Sequence, residues 1–154
     1  MSLDVGDNAP DFIIATDGGG SFSLSDMKGY NVIIYFYPKD DTPGCTKEAC
    51  GFRDMAPDFS ASSAKIIGIS KDTVTKHDKF KSKYELPFLL GADLEGIVCE
   101  AYGTWVEKSM YGRQYMGIER ATFLVDKKSV IQGIWRKVKV KGHVEEVLSA
   151  VQDL

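Results

Sequence analysis

The chain has 154 residues, of which 44% are hydrophobic and 27% are charged, and its formal net charge is −3 at pH 7. These values are typical of a folded globular protein and exclude an intrinsically disordered chain and a strongly basic nucleic-acid-binding domain. The length predicts that residues 1–154 form a single domain. No apolar run is long enough to cross a membrane, and residues 1–4 have neither a basic leader nor an apolar segment. We therefore predict a cytoplasmic protein with no membrane contact.

The N-terminal part predicts a short β-hairpin. Residues 11–15 and 21–24 are apolar-rich segments on either side of the turn sequence Asp17-Gly18-Gly19-Gly20. The three glycines lack the Gly-Lys-Ser/Thr ending of a phosphate-binding loop, so a turn is the better interpretation. Residues 24–28 can add one helical turn. We expect this hairpin to pack at the edge of a sheet.

Residues 31–37 predict a strand that is buried on both faces. The run Asn-Val-Ile-Ile-Tyr-Phe-Tyr is apolar and rich in β-branched and aromatic side chains, which is typical of a central strand. Pro38 should end this strand, because proline cannot donate to a neighbouring strand. Turn-forming residues occupy 40–44, and residues 45–60 have a helical composition apart from one glycine and one proline.

Cys45 therefore lies in or beside the first turn of a predicted helix. Free backbone N–H groups and the positive end of the helix dipole stabilise an anion there, which favours the thiolate. We expect Cys45 to be a nucleophile at neutral pH. Cys50 follows five residues later, and a neighbouring thiol can trap an oxidised cysteine as a disulfide. The pair is predicted to be redox-active.

The rest of the chain alternates between strands and helices. The patterns predict strands at 65–70, 88–90, 122–126 and 130–135, and helices at 73–84, 94–102 and 143–154. This order implies parallel pairing through helical crossovers, and the last two strands are close enough to form a hairpin. Residues 107–115 are predicted to be turn-rich and polar, with Tyr111-Gly112-Arg113 at the centre. The basic stretch 136–141 is predicted to be a solvated strand face. The fold class is therefore α/β, with a mixed sheet and helices on both faces.

Other chemistry-bearing residues are predicted to be structural. Cys99 lies in an apolar helical segment, which favours core packing. His77 and His143 lie in unrelated polar segments, which favours surface positions over metal ligation. Neither histidine is near a nucleophile motif, so serine-hydrolase chemistry is set aside. Glu48, one helical turn after Cys45, could either hold an arginine or remain an exposed helix charge.

The segment from Pro38 to Cys45 resembles the peroxiredoxin signature. Pro38, Thr42 and Cys45 match its spacing of Pro, three residues, Thr, two residues and Cys. Cys50 matches the branch of that family called bacterioferritin comigratory protein or peroxiredoxin Q. The resemblance extends over nearly the whole chain, and the segments that carry it are 5–12, 45–54, 102–105 and 120–126.

The resemblance implies a thioredoxin-like fold with an N-terminal β-hairpin extension. It also implies that Cys45 is the peroxidatic cysteine, that Cys50 is the resolving cysteine, and that Pro38 packs over the nucleophile and limits access of water. No metal, flavin or haem cofactor is expected. The oligomeric state stays open, because members of this branch are often monomers but the aromatic residues could equally cover a dimer surface.

The same resemblance implies how substrate is bound. The backbone N–H groups of Gly44 and Cys45, the Thr42 hydroxyl and the Arg120 guanidinium would orient both oxygens of a hydroperoxide and stabilise the stretched bond. The expected activity is reduction of hydrogen peroxide and organic hydroperoxides to water and alcohols. An external dithiol, thioredoxin by resemblance, would reduce the resulting disulfide.

Two other functions remain open from the residues. A general thiol–disulfide oxidoreductase on the same fold normally has two residues between its cysteines, whereas four separate Cys45 from Cys50. Such a protein also carries a proline where this chain has Ala121. A non-enzymatic redox sensor or interaction protein could use the cysteine pair as a switch. Consumption of a hydroperoxide with thioredoxin, its reductase and nicotinamide cofactor discriminates the three.

Overall fold

A computed structural model describes residues 2–154 of the chain. Its strands are β1 (Ile13–Thr16), β2 (Ser21–Ser23), β3 (Asn31–Phe36), β4 (Ala64–Ser70), β5 (Leu89–Ala92), β6 (Trp105–Met110), β7 (Arg113–Ile118), β8 (Ala121–Val125) and β9 (Ile131–Trp135). Its α-helices are α1 (Pro43–Asp54), α2 (Ala56–Ala61), α3 (Val74–Tyr84), α4 (Ile97–Ala101) and α5 (His143–Gln152). Short 3-10 turns occupy Asp17–Gly19 and Leu24–Met27.

Seven strands form one mixed sheet in the order β2-β1-β5-β4-β3-β8-β9, and β6 pairs with β7 in a separate sheet. Strand β3 is parallel to β4, which is parallel to β5, whereas β8 and β9 are antiparallel additions. Helix α4 contributes to the hydrophobic cluster on one face of the sheet, and α1, α3 and α5 contribute to the cluster on the other. The predicted α/β class and mixed sheet are confirmed.

All six residues of β3 are buried, as the sequence predicts. Successive side chains of a strand point to opposite faces, and they enter two different hydrophobic clusters here. One cluster contains Val32, Ile34 and Phe36, and the other contains Ile33 and Tyr35. Burial on both faces explains why the strand is continuously apolar.

The pairing of β3 with β8 determines where the site forms. Phe36, the last residue of β3, pairs with Ala121, the first residue of β8. In an antiparallel pair the end of one strand lies beside the start of its neighbour. Arg120 directly precedes β8. It therefore lies at the same end of this strand pair as the loop that leads from β3 into α1.

Helix α1 starts at Pro43, two residues before the predicted start, and is shorter than predicted. Pro43 occupies its first turn, where the missing N–H would be unpaired anyway. The predicted helix over 45–60 is divided at Met55 into α1 and α2. Pro57 explains the division, because inside one continuous helix its ring would clash with a carbonyl of the preceding turn.

The prediction that residues 107–115 are turn-rich was wrong except at the centre of the segment. They belong to the β6–β7 hairpin, whose two-residue turn is Tyr111-Gly112, with φ of 52° and 78°. Positive φ at both positions matches the twist of a hairpin. Most of the hairpin is exposed, so no alternation of apolar and polar residues reveals its strands. Only its base, at Trp105 and Ile118, packs on the core.

The prediction that residues 136–141 form a strand was also wrong. Strand β9 ends at Trp135, and residues 136–142 form a loop in which Lys137 has a φ of 47°. That value lies in the left-handed region, which strands do not use. The lysines are exposed, as predicted. The Val138 N–H donates to the Arg120 carbonyl over 3.0 Å, so this loop supports the backbone of Arg120.

The other predicted elements are present with small changes in length. The helix predicted at 94–102 is shortened to α4, because Gly96 has a φ of 76° and cannot lie inside the helix. The N-terminal β1–β2 hairpin pairs with β5 at the sheet edge. No helix within residues 2–154 is long and apolar enough to span a membrane. The cytoplasmic location stays a prediction.

Candidate active site

Cys45 is the third residue of α1, and 2% of its surface is exposed. The first hydrogen bond of the helix runs from the Thr46 N–H to the Thr42 carbonyl over 2.8 Å. The N–H groups of Gly44 and Cys45 precede that bond, so they have no partner inside the helix. The predicted position of Cys45 at a helix start is confirmed. Its thiol therefore lies at the electropositive end of α1.

Thr42 precedes α1 but does not cap it with its side chain. A threonine in this position normally accepts a hydrogen bond from the second or third N–H of the helix. Here the Thr42 hydroxyl instead donates to the Lys39 carbonyl over 2.9 Å. The N–H of Cys45 is left for a ligand, and the Thr42 oxygen keeps its lone pairs for a donor.

Arg120 links the cysteine to a buried carboxylate. Its Nη2 donates to Cys45 Sγ over 3.4 Å, and its Nη1 donates to Glu48 Oε1 over 2.7 Å. Only 16% of the Arg120 side chain is exposed. A Cβ atom on Gly44 would lie 3.2 Å from Arg120 Nη2, which is closer than most side-chain contacts. The absence of a side chain at Gly44 thus lets the guanidinium approach the start of α1.

Glu48 is fully buried, which excludes the exposed helix charge that the sequence allowed. It lies one helical turn after Cys45, so both side chains are on the same face of α1. Its Oε2 has no hydrogen-bond partner in the described residues, whereas Oε1 accepts from Arg120. Burial raises the pKa of Glu48 to about 7, although Arg120 opposes the shift. Glu48 holds the arginine in place at an electrostatic cost.

Cys50 lies later in α1 and is partly exposed. All three cysteines are free thiols. Residues five apart on an ideal helix have Cα atoms roughly 8.6 Å apart, whereas a disulfide tolerates at most about 7 Å. Cys50 is therefore near Cys45 in sequence and in the same helix, but helical geometry keeps the two thiols apart.

Pro38 and Cys99 lie outside this contact network. Pro38 is near the end of β3 and is exposed. Cys99 is fully buried in the core, as predicted, and its backbone N–H donates to Asp93 Oδ2 over 2.8 Å. Burial, with the neighbouring Asp93, raises the pKa of the Cys99 thiol far above its ordinary value. It is therefore held as an unreactive thiol.

The predicted surface positions of the two histidines were wrong. His77 is fully buried, and its Nδ1 lies 2.6 Å from Asp40 Oδ2. His143 is buried too, with Nε2 at 2.7 Å from Thr122 Oγ1, and burial lowers its pKa to about 4. The polar neighbours of each histidine along the chain concealed its inward direction, and partners distant in sequence satisfy the buried nitrogens.

Sequence reasoning also missed Lys108, in the β6–β7 hairpin. Its stem passes over Gly117, where an added Cβ would lie 3.2 Å from Lys108 Cδ. Burial and the nearby positive charge of Arg120 lower the pKa of Lys108, while the proximity of Cys45 opposes the shift. Lys108 is therefore close enough to Arg120 and Cys45 for their charges to affect its pKa. The sequence feature connected with this position is Gly117 on the neighbouring strand β7, which leaves room for the Lys108 stem.

Comparison with known proteins places these features in a family context. The model of the AhpC/TSA family matches residues 5–134. The peroxiredoxin Bcp of Bacillus subtilis is 50% identical over 154 residues, covering 100% of this chain and 98% of that protein.

Two solved structures are also similar. The bacterioferritin comigratory protein of Xanthomonas campestris, described for its alkyl peroxide reduction activity, has a TM-score of 0.89 and 42% identity, covering 92% of this chain and 90% of that one. A cysteine-to-serine variant of PrxQ from Xylella fastidiosa has a TM-score of 0.94 and 36% identity, covering 99% of this chain and 98% of that one. Both share the thioredoxin-like fold of peroxiredoxins.

Proposed function

The chain belongs to the AhpC/TSA family of peroxiredoxins, and we propose that Cys45 is its peroxidatic cysteine and Cys50 its resolving cysteine. The protein is a thiol peroxidase, which reduces hydroperoxides with electrons from a thiol reductant. The observation that carries the proposal for Cys45 is the Arg120 donor 3.4 Å from its sulfur at the start of α1. A permanent cation and a helix N-terminus both favour the thiolate.

The first step is attack of the Cys45 thiolate on one oxygen of the peroxide. A sulfur–oxygen bond forms while the oxygen–oxygen bond breaks, and the departing oxygen takes a proton to leave as water or an alcohol. Arg120 and the N–H groups of Gly44 and Cys45 stabilise the negative charge that develops on the departing oxygen. Cys45 becomes a sulfenic acid.

Thr42 would orient the peroxide before attack. Its hydroxyl proton is directed to Lys39, so its oxygen can accept a hydrogen bond from the peroxide O–H. Valine in this place would remove that acceptor, whereas serine would keep it. Pro38, which is exposed, is proposed to pack over the nucleophile and to limit the access of water.

The second step joins the two cysteines. The Cys50 sulfur attacks the sulfenic sulfur of Cys45, the sulfur–oxygen bond breaks, and water leaves. Because α1 keeps the thiols apart, its first turns must unwind for this bond to form. Two electrons from a dithiol, which we propose to be thioredoxin, then reduce the disulfide. Thiols supply both electrons, so these steps need no additional cofactor.

A coupled assay tests the proposal. Purified protein is mixed with thioredoxin, its reductase and NADPH, and NADPH consumption is measured after hydrogen peroxide or an alkyl hydroperoxide is added. We expect turnover with the wild type, none with Cys45→Ser, and wild-type turnover with Cys99→Ser. The Cys50→Ser variant should be oxidised once but not recycled by thioredoxin.

Each alternative function gives a different result in that assay. A general thiol–disulfide oxidoreductase would reduce a disulfide substrate without consuming peroxide. A redox sensor would be oxidised once and would not turn over. Substantial peroxide turnover by Cys45→Ser would refute the assignment of the nucleophile.

A further inference from the structure

A second polar cluster packs against the loop between β3 and α1, outside the residues that contact Cys45. It consists of Tyr37, Asp40, Asp72 and His77. Asp40 belongs to this loop, and 5% of its side chain is exposed. Its Oδ2 lies 2.6 Å from Nδ1 of the fully buried His77, and its Oδ1 accepts from the Tyr37 hydroxyl over 2.5 Å. Partners hold both oxygens of this buried carboxyl group.

The surroundings of His77 determine where its protons are. Its Nε2 lies 2.9 Å from the Gly91 carbonyl, which can only accept, so Nε2 must carry a proton. If Nδ1 were bare, its lone pair would face an ionised Asp40 oxygen 2.6 Å away. Two acceptors at that distance repel each other. A second proton must therefore lie between His77 and Asp40.

This cluster is not arranged as a metal site. Atoms of Asp40, Asp72 and His77 lie within 4.8 Å of one another, which is close enough to consider a metal ion. Both imidazole nitrogens are already engaged, and Asp72 Oδ2 accepts from the Ser70 hydroxyl and the Asp40 N–H. A cation would have to displace the shared proton and several hydrogen bonds.

Asp40 connects the buried pair to the peroxide site through the backbone. The Asp40 N–H donates to Asp72 Oδ2 over 2.8 Å, and the preceding Lys39 carbonyl accepts from the Thr42 hydroxyl over 2.9 Å. Asp41 follows with a φ of 58°, an uncommon conformation for aspartate. Fixing Asp40 therefore fixes the carbonyl that orients the Thr42 oxygen.

We propose that Asp40 and His77 share a proton and are positioning residues for peroxide reduction. Together they hold the loop over residues 38–42 in the conformation that orients Thr42 and the first turn of α1. This role rests on the proposed function, because it concerns the geometry of the peroxide site. Small displacements at such a site are costly in rate.

Several titratable groups face the His77 imidazole. They are Asp40 and Tyr37 from the segment after β3, and Asp72 after β4. Strand β5 contributes the Gly91 carbonyl. On α3, which carries His77, Lys81 is paired with Asp17. Burial lowers the pKa of His77, but the bond to Asp40 and its charge outweigh burial, and the pKa is raised overall.

Nitrogen-15 NMR of the imidazole tests the shared proton directly. At pH 7 we expect both His77 nitrogens of the wild type to give shifts of protonated or strongly hydrogen-bonded nitrogens. In Asp40→Asn, the amide can donate to a bare Nδ1 and its oxygen can still accept from Tyr37. That variant should give one protonated and one bare nitrogen. A bare, non-hydrogen-bonded Nδ1 in the wild type would overturn the shared proton.

The rate of Cys45 oxidation by hydrogen peroxide tests the positioning role. Asp40→Ala removes the side-chain bonds to His77 and Tyr37. We expect the oxidation rate to fall by about tenfold to a hundredfold. Asp40→Asn keeps the hydrogen bonds and should stay within about threefold of the wild type. Asp58→Asn is the control, because it removes an exposed carboxylate from α2, outside the loop over residues 38–42. Its rate should be unchanged.

Asp40→Glu provides a second test if Asp40→Ala does not fold. It keeps the charge but adds a methylene, so His77 retains its partner only if the loop moves, and the rate should fall. Wild-type rates in a folded Asp40→Ala or in Asp40→Glu would overturn the positioning role. A wild type that does not react with peroxide would refute the proposed function and the positioning role, while the NMR result would still decide the shared proton.

Discussion

Arg120 and Glu48 form a buried ion pair, with Nη1 and Oε1 2.7 Å apart and the Glu48 side chain fully shielded from water. The same guanidinium directs Nη2 to the Cys45 sulfur. The carboxylate therefore fixes the direction of the arginine, and the arginine partly compensates the burial of the carboxylate. Such a pair costs desolvation energy, so its presence is weak evidence for a contribution to stability.

The first prediction is that Glu48 makes stability fall as pH rises. Its pKa is raised from 4.5 to about 7 in the folded protein, so the native state binds more protons than the unfolded state between those values. The free energy of unfolding should therefore fall as the pH rises from 4.5 to about 7. The total loss is about 3 kcal/mol if Glu48 is the only group whose pKa changes on folding. Urea unfolding from pH 4 to 8 should show this loss in the wild type relative to Glu48→Gln. Glu107→Gln, an exposed carboxylate in β6, is the control and should match the wild type.

His143 is predicted to act in the opposite direction. Burial, then the positive charge of Arg120, lowers its pKa from 6.5 to about 4. The unfolded state then binds more protons between those values, so stability is lost as pH falls through the window. Relative to His143→Gln, the wild type should be more pH-sensitive on the acid side in the same unfolding series. Parallel pH profiles for the two proteins would contradict the buried neutral imidazole.

Arg120→Met is predicted to slow oxidation of Cys45 by about a hundredfold, because it removes the cation that stabilises the reacting oxygens. The variant also leaves Glu48 buried without its partner, so the double variant Arg120→Met/Glu48→Gln is needed to separate rate from stability. Stopped-flow tryptophan fluorescence can follow the oxidation. A wild-type rate in the folded double variant would refute the role of Arg120.

Cys99 is predicted to be dispensable for catalysis. Cys99→Ala should keep thioredoxin-linked turnover and lose about 1 kcal/mol of stability, the typical cost of a core substitution. Peptide mapping of the peroxide-oxidised wild type provides the second measurement. A disulfide that contains Cys99 would make it a resolving cysteine and would contradict its assignment to the core.

Disulfide formation is predicted to unwind α1. Amide hydrogen exchange over residues 42–54 should be slow in the reduced protein and fast after Cys45–Cys50 disulfide formation. Gly44 and Gly51 lower the cost of leaving helical dihedrals. Cys50→Ser treated with peroxide is the control, because it forms the sulfenic acid without a bridge and should stay protected. Equal protection in the wild type before and after confirmed disulfide formation would exclude the unwinding step.

Local sequence was sufficient for the main elements and for the position of Cys45 at the start of a helix. The apolar run of β3 has a pattern that only a doubly covered strand explains. The turn residues at 40–44 predicted a helix start near Cys45, and α1 begins slightly earlier, at Pro43. Both predictions depend on residues that are within or next to the predicted element in the sequence. The β6–β7 hairpin gave no such signal, because its mostly exposed side chains do not need to alternate.

The tertiary structure alone decided how distant residues meet. Glu48 could have been a solvated helix charge, and only the pairing of β3 with β8 brings Arg120 to it across 72 positions of sequence. His77 looks like a surface residue of a polar helix, yet Asp40 and the Gly91 carbonyl engage both of its nitrogens. Propensity and periodicity describe neighbours along the chain. Burial of a charge or an imidazole depends on partners supplied by other elements, and those partners are defined only when the sheet has formed.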